Sequence, residues 1–322
     1  MKAIVIHEAG GPDKLRFEQV AEPTPGPADL LVDVDAAGLN FIDTYQRSGL
    51  YPLAFPFTPG VEGAGTVAAV GDGVTGFSVG DRVGWVGVLG TYAEKHLVPA
   101  QRAIPIPIGL ETDVVAAMLL QGITAHYLTN DTFPLKKGDR CLIHAAAGGV
   151  GLLLTQIAVM KGAMVITTVG TEEKAELSRA AGADEVIVYR QVDFREEVEK
   201  LIGANNLDVV FDGVGAATFD KGLDLLRPRG MMVTFGNASG PVPAIPPLIL
   251  AEKGSIFLTR PTMAHYIQTR DELLTRANDL FNWVSTGALD VRIGHKYPLG
   301  QAGDAHRALE GRETTGKVLL HP

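Results

Sequence analysis

Two textures of apolar and polar positions divide this chain. In the first third, short apolar-rich segments lie at residues 3–6, 30–36, 65–70 and 82–86, with apolar and acidic residues alternating over 30–36 and Gly- and Pro-rich turns between the segments. Successive side chains of a strand point to opposite faces, so this alternation predicts short strands closing a small barrel or sandwich. Near Thr112 the texture changes. Thr112-Asp113 supplies N-cap chemistry ahead of the apolar run 114–120, which predicts a helix and a domain boundary close to it.

From Arg140 onward short apolar runs alternate with helical spacing. Strands are predicted at 141–145, 164–169, 185–189, 207–211 and 231–235, and helices at 150–161, 172–181, 194–202 and 218–226. Strand and helix in strict alternation predict right-handed βαβ units on a parallel sheet. A Pro-rich stretch at 241–247, a β-prone segment at 255–259 and a helix at 270–285 lead to a last strand at 317–320, expected to return to the first domain. The 322 residues suit two hydrophobic cores rather than one.

Charge narrows the function classes. A formal net charge of −9 repels polyanions, and no basic run interleaved with aromatics is present, so nucleic acid is not expected as a main partner. The apolar run at the N-terminus is too short for a signal peptide, and 114–125 is too short to span a bilayer core of ~30 Å. Cys141, the single cysteine, has no partner for an internal disulfide. The cytoplasm is the expected compartment.

The chemistry concentrates at Ala145-Ala146-Ala147-Gly148-Gly149-Val150-Gly151, between a predicted strand and helix. Ala146, Gly148 and Gly151 occupy the three positions of the G-x-G-x-x-G dinucleotide fingerprint, with Gly149 and Val150 between them. Small residues there let the backbone approach a pyrophosphate, while the helix N-terminus offers free N–H groups. An NAD enzyme carries an acid about 20 residues on, to hold the ribose hydroxyls. This chain has Gly170-Thr171 there, followed by Lys174, and Tyr189 ends the next strand. Nothing repels a 2′-phosphate and a cation is near, so NADPH is favoured over NADH; a solvated Lys174 among Glu172, Glu173 and Glu176 is the other reading. There is no H-E-x-x-H, and His144 reads as a core histidine.

With Ala37-Gly38-Leu39-Asn40-Phe41-Ile42-Asp43, Pro59-Gly60-Val61-Glu62-Gly63-Ala64-Gly65, Gly80-Asp81-Arg82-Val83, residues 145–151 and Phe235-Gly236-Asn237 in this order, the chain resembles the medium-chain dehydrogenase/reductases, and among them the zeta-crystallin-like quinone oxidoreductases. The resemblance implies an α/β protein: a GroES-like β-barrel domain (1–122 and 262–322) around a doubly wound Rossmann NADPH-binding domain (123–261), strand order 3-2-1-4-5-6. In zinc enzymes of this family a cysteine stands at the position of Asn40 and a histidine at that of Val61, so no zinc is expected here.

The same resemblance implies NADPH-dependent reduction of a small-molecule quinone, because hydride transfer to an acceptor already electrophilic needs no Lewis acid. It places Asn40, Asp43 and Tyr45 on a loop beside the nicotinamide, with Thr124 as a further catalytic candidate. Gln121, Thr124 and Tyr127, three residues apart, can share one helix face along the cofactor. Phe235, Gly236 and Asn237 are implied to border it, with Arg260 and Lys317 as phosphate or amide contacts. Turn chemistry for Asn40 and Asp43, and packing for Tyr45 and Tyr127, stand as alternatives; Glu62 reads as a loop-holding residue. The segment 255–259 can be an edge strand pairing in a homodimer. Two other functions stay open: reduction of α,β-unsaturated carbonyls on the same scaffold, and a non-catalytic NADPH-binding crystallin-like or RNA-binding protein.

Overall fold

In the computed structural model, which describes residues 1–322, the segments 30–36, 65–70 and 82–86 become strands of a seven-stranded sheet, while Lys2–Val5 pairs with Arg16–Gln19 in a separate two-stranded one. The chain divides into two units, Met1–Ile123 with Ile267–Pro322, and Thr124–Tyr266. In the first, the long strand Asp29–Leu39 pairs antiparallel with Glu62–Val70, which pairs with Arg82–Val86. The apolar positions of these strands meet around fully buried Trp85, Tyr92, Leu30 and Val32, each large apolar group contributing roughly 1.5–3 kcal/mol by leaving water. The last strand, Lys317–His321, lies antiparallel to Asp29–Leu39 with Leu319 opposite Gly38. The end of the chain therefore completes the first domain's sheet, as its pattern predicts.

Two helices of this unit were not legible as such. Asn40, Asp43 and Tyr45, expected on a loop, belong instead to the start of a helix, Phe41–Ser48, with Asn40 as its N-cap. Ala302–Glu310 is a second short helix. Both are short and rich in polar residues, and their stability comes from tertiary contacts rather than from a long apolar stripe.

The second unit holds a six-stranded, all-parallel sheet ordered Glu185–Val188, Met164–Val169, Arg140–His144, Leu207–Asp212, Leu226–Thr234, Phe257–Thr259. By sequence this is 3-2-1-4-5-6, the doubly wound order, with its reversal between the first and fourth strands. Its core gathers Leu142, Ile166, Val210, Phe211 and Met232. Phe257–Thr259 pairs on one side only, with Leu226–Thr234, and Phe257 is 56% exposed. No helix is long and apolar enough to cross a membrane.

Candidate active site

In the first unit a charged cluster forms where the strands Asp29–Leu39, Glu62–Val70 and Lys317–His321 run side by side. Lys317 and Glu62 are 1% and 0% exposed and form an ion pair. Their approach requires Gly38: a Cβ there would lie 2.6 Å from Glu62 Oε2 and 2.7 Å from Lys317 Cε. Burial pushes the Lys317 ammonium down, while Glu62 opposes the shift. Glu62 Oε1 also accepts the Leu120 N–H at 2.6 Å.

Asn40 sits inside this cluster with every hydrogen-bonding position filled. Its Nδ2 donates to Gly38 O at 3.0 Å and to Glu62 Oε2 at 2.8 Å. Its Oδ1 accepts from Lys317 Nζ at 2.9 Å and from Gln121 Nε2 at 3.3 Å. The ammonium can face only the oxygen and the carboxylate only the nitrogen, so the amide has one orientation. Asn40 and Lys317, both expected at the ligand, thus spend these groups on each other and on Glu62.

Asp43, one helical turn on, is fully buried. Its Oδ2 accepts the Asn40 N–H at 2.8 Å and the Tyr92 hydroxyl at 2.9 Å, while Oδ1 has no protein partner. Burial pushes its carboxyl up to about 7, against the pull of these two donors and of Lys317. Tyr45 follows on the same helix, half-buried, its ring tilted against Phe41 and edge-on to Tyr51 at centroid distances of 6.1 and 5.3 Å. Gln121, Thr124 and Tyr127 lie on one helix, Thr112–Tyr127, and all three are buried. Tyr127 stacks on Tyr266 at 4.2 Å.

In the second unit the strand Arg140–His144 passes through a tight turn, with Ala145 at φ 54°, into the helix Gly149–Met160. Gly148 is the N-cap residue, no side chain caps this helix, and its first turn carries no acid. Its leading N–H groups are left for an anion, aided by the helix dipole. Gly151 lets helix and turn touch: a Cβ would stand 2.5 Å from Ala145 O. The buried Ala146 anchors the turn through its N–H to Thr168 O at 3.1 Å.

The next crossover carries the expected selectivity residues. Gly170 follows the strand Met164–Val169, and Thr171 caps the helix Glu172–Ala180 by accepting the Lys174 N–H. Tyr189 lies against Gly170, its hydroxyl 3.0 Å from where a Cβ would be. Arg190 Nε is 3.6 Å from the same point, a neighbour the sequence reading did not single out although it adjoins Tyr189. Farther along the sheet, Arg260 donates to Thr234 Oγ1 at 3.1 Å and Gly236 O at 3.0 Å, bracing the turn Phe235-Gly236-Asn237. Asp212, also not singled out, receives the Val214 and Gly215 N–H groups and the Thr218 hydroxyl, shaping the adjacent turn.

A doubly wound sheet with an uncapped, glycine-lined helix start in one unit, and in the other a β domain that the C-terminal strand completes, define a two-domain dinucleotide-dependent dehydrogenase or reductase scaffold. Comparison with known proteins agrees. The alcohol dehydrogenase GroES-like domain matches residues 26–108 and the zinc-binding dehydrogenase family matches residues 149–279. The chain is 42% identical over 323 residues to a quinone oxidoreductase of Pseudomonas aeruginosa, covering 100% of this chain and 99% of that one. It is also 42% identical over 330 residues to a 2-haloacrylate reductase of a Burkholderia species, covering 99% and 98%. Among solved structures it matches the Escherichia coli quinone oxidoreductase complexed with NADPH, with a TM-score of 0.98 and 42% identity over 100% of both chains. The chain belongs to the medium-chain dehydrogenase/reductase family, alongside its quinone oxidoreductases.

The zinc in one matched family's description does not fit the residues here. Asn40 has no lone pair to spare, the Lys317 ammonium lies against it, and Cys141 is buried in the other unit's sheet. No three His, Cys, Asp or Glu side chains are grouped to hold a metal.

Proposed function

We propose that this protein reduces quinones with NADPH and uses no metal. The observation that carries the reading is the closed Asn40–Glu62–Lys317 cluster: a cation-filled hydrogen-bond network stands where the family's zinc enzymes place a ligand. Without a Lewis acid to polarise a carbonyl or hold an alkoxide, the acceptor must be electrophilic by itself, as a quinone is. The relatives named as quinone oxidoreductases support the same reading.

NADPH, when bound, supplies a hydride, and a quinone that takes it up with a proton leaves as hydroquinone. The chain's own residues then divide the work. Ala146, Gly148, Gly149, Val150 and Gly151 present backbone to the pyrophosphate. Gly170, Thr171, Lys174 and Tyr189, with Arg190 added, receive the 2′-phosphate. Phe235, Gly236 and Asn237, braced by Arg260, border the nicotinamide half together with Gln121, Thr124 and Tyr127. Tyr45, next to Phe41 and Tyr51, offers the flat aromatic face a quinone ring stacks on. Asn40, Asp43 and Lys317 act from behind, fixing the helix start that carries Tyr45. No general acid is assigned, so product protons come from water.

The assay is direct. Purified protein with NADPH and 1,4-benzoquinone, without added metal, is expected to oxidise the nicotinamide well above a protein-free control, and faster than NADH. In the Lys174→Glu variant NADPH affinity should fall about tenfold or more while NADH changes little, since a carboxylate then faces the 2′-phosphate. The 42% identical 2-haloacrylate reductase makes activated alkenes the second reading: turnover of an enone and not of the quinone would replace the first. Binding of NADPH without any turnover would remove both.

We further propose a homodimer joined through the half-paired strand Phe257–Thr259, whose exposed Phe257 and unbonded edge suit a copy of itself. Sedimentation should give a dimer for the native chain and a monomer for Phe257→Asp; an unchanged mass for the variant would exclude this edge. The cytoplasm supplies NADPH and keeps Cys141 reduced, and is the compartment proposed.

A further inference from the structure

Behind Asp43 runs a chain of buried polar groups that the hydride-transfer reading leaves unused. Arg47, on the same helix, is 2% exposed. It donates from Nε to Gly10 O at 3.0 Å, from Nη2 to Glu310 at 2.7 Å and from Nη1 to His306 Nδ1 at 2.9 Å. His306, fully buried on the helix Ala302–Glu310, faces the Tyr92 hydroxyl with Nε2 at 3.4 Å, and Tyr92 in turn reaches Asp43 Oδ2.

The proton positions follow from donor chemistry. A guanidinium has no lone pair, so Nδ1 of His306 must accept, and a neutral imidazole then carries its proton on Nε2. Tyr92 receives that N–H on its oxygen, and its single O–H is left to point at Asp43. Reversing either link of His306 would need an imidazolate or a deprotonated arginine, and reversing the last would need a protonated Asp43. With Asp43 ionised the chain is therefore one-way, from Arg47 through His306 and Tyr92 onto Asp43. Burial and the Arg47 charge pull His306 down to about 3, which agrees with a neutral ring.

We propose that His306 is a positioning residue: as the Nε2–H tautomer imposed by Arg47, it turns the Tyr92 hydroxyl onto Asp43 and so holds the carboxylate that pins the start of the Tyr45 helix. Its catalytic relevance rests on the quinone-reductase reading above. The groups facing Asp43 are the Asn40 N–H at the start of its own helix, Tyr92, Lys317 from the last strand, and Glu62, with His306 and Arg47 beyond Tyr92. Tyr92 is the only one of these side chains that donates directly to it. Loss of that donor raises the carboxyl further, so Asp43 takes up its proton at a higher pH than in the wild-type protein.

The test combines nitrogen-15 NMR of the wild-type histidines with quinone turnover across pH in three variants. The His306 signals should show an Nε2–H tautomer that does not titrate between about pH 5.5 and 9. His306→Gln keeps an acceptor toward Arg47 and a donor toward Tyr92, so its kcat/KM profile should match wild type. His306→Phe and Tyr92→Phe should lose about tenfold at about pH 6 and little at about pH 9, because their acid limb moves up. A proton on Nδ1, a titrating ring, or an equal loss at every pH shared by His306→Gln would overturn the proposal. If the wild type turns over no quinone, the functional reading fails separately, and the Asn40 amide decides the positioning role. Faster hydrogen exchange there in Tyr92→Phe and His306→Phe, but not in His306→Gln, supports it; unchanged exchange in all three overturns it.

Discussion

Lys317→Met is expected to destabilise the first domain by about 3–5 kcal/mol, the cost of leaving one member of a buried ion pair without the other. Glu62 would keep the Leu120 N–H and the Asn40 amide, yet its charge would lie in a site with no exposure. Urea unfolding at neutral pH reads the loss. Trp85 and Trp283, the only two tryptophans, both belong to the first unit, so their fluorescence follows that unit's transition alone. Adding Glu62→Gln to Lys317→Met removes the stranded charge and should recover a large part of the loss. No recovery would mean that the cluster stabilises by shape rather than by charge pairing.

How much of this was legible depends on how local each signal is. The Rossmann half could be read almost element by element because every βαβ unit advertises itself within about 30 residues: an apolar run, a turn, a 3.6-residue period. The fingerprint at 145–151 was legible for the same reason, since turn, helix start and small residues adjoin. The first domain hid more. Asn40 and Asp43 were read as loop residues, although an Asn followed three positions later by an Asp is also N-cap spacing. Their eight-residue helix carries buried Asp43, Thr44, Gln46 and Arg47, a polar inner face that hydrophobic periodicity cannot reveal. The ion pair was beyond local reading altogether, because Glu62 and Lys317 are 255 residues apart and meet only once the last strand joins the first sheet. Lys317 was expected as a phosphate or amide contact of the cofactor, and the local spacing around Gly38 carries no sign that its missing Cβ makes room for both partners.

Gly151→Val is the other large expected effect, and Gly148→Ala beside it separates two jobs that small residues do in one turn. At Gly151 the new Cβ would meet main chain, 2.5 Å from Ala145 O and 2.6 Å from Ala146 Cα. Backbone cannot rotate out of the way as a side-chain tip can, so the helix Gly149–Met160 must lift from the strand it follows. Overpacking of this kind costs about 1–3 kcal/mol, and the displaced helix start takes its N–H groups with it; NADPH affinity should drop a hundredfold or more, since about 2.7 kcal/mol accompanies two lost charge-assisted hydrogen bonds. At Gly148 the backbone is ordinary, φ −79°, and a Cβ would find only Ala145 O at 3.3 Å. That substitution should leave thermal stability nearly unchanged and still weaken NADPH, because the methyl group stands where the pyrophosphate approaches. Thermal unfolding and NADPH fluorescence titration of both variants give the comparison. Stability lost in Gly151→Val alone, with affinity lost in both, assigns the first glycine to the ligand and the second to packing. Wild-type affinity in Gly148→Ala would remove this turn from the cofactor site.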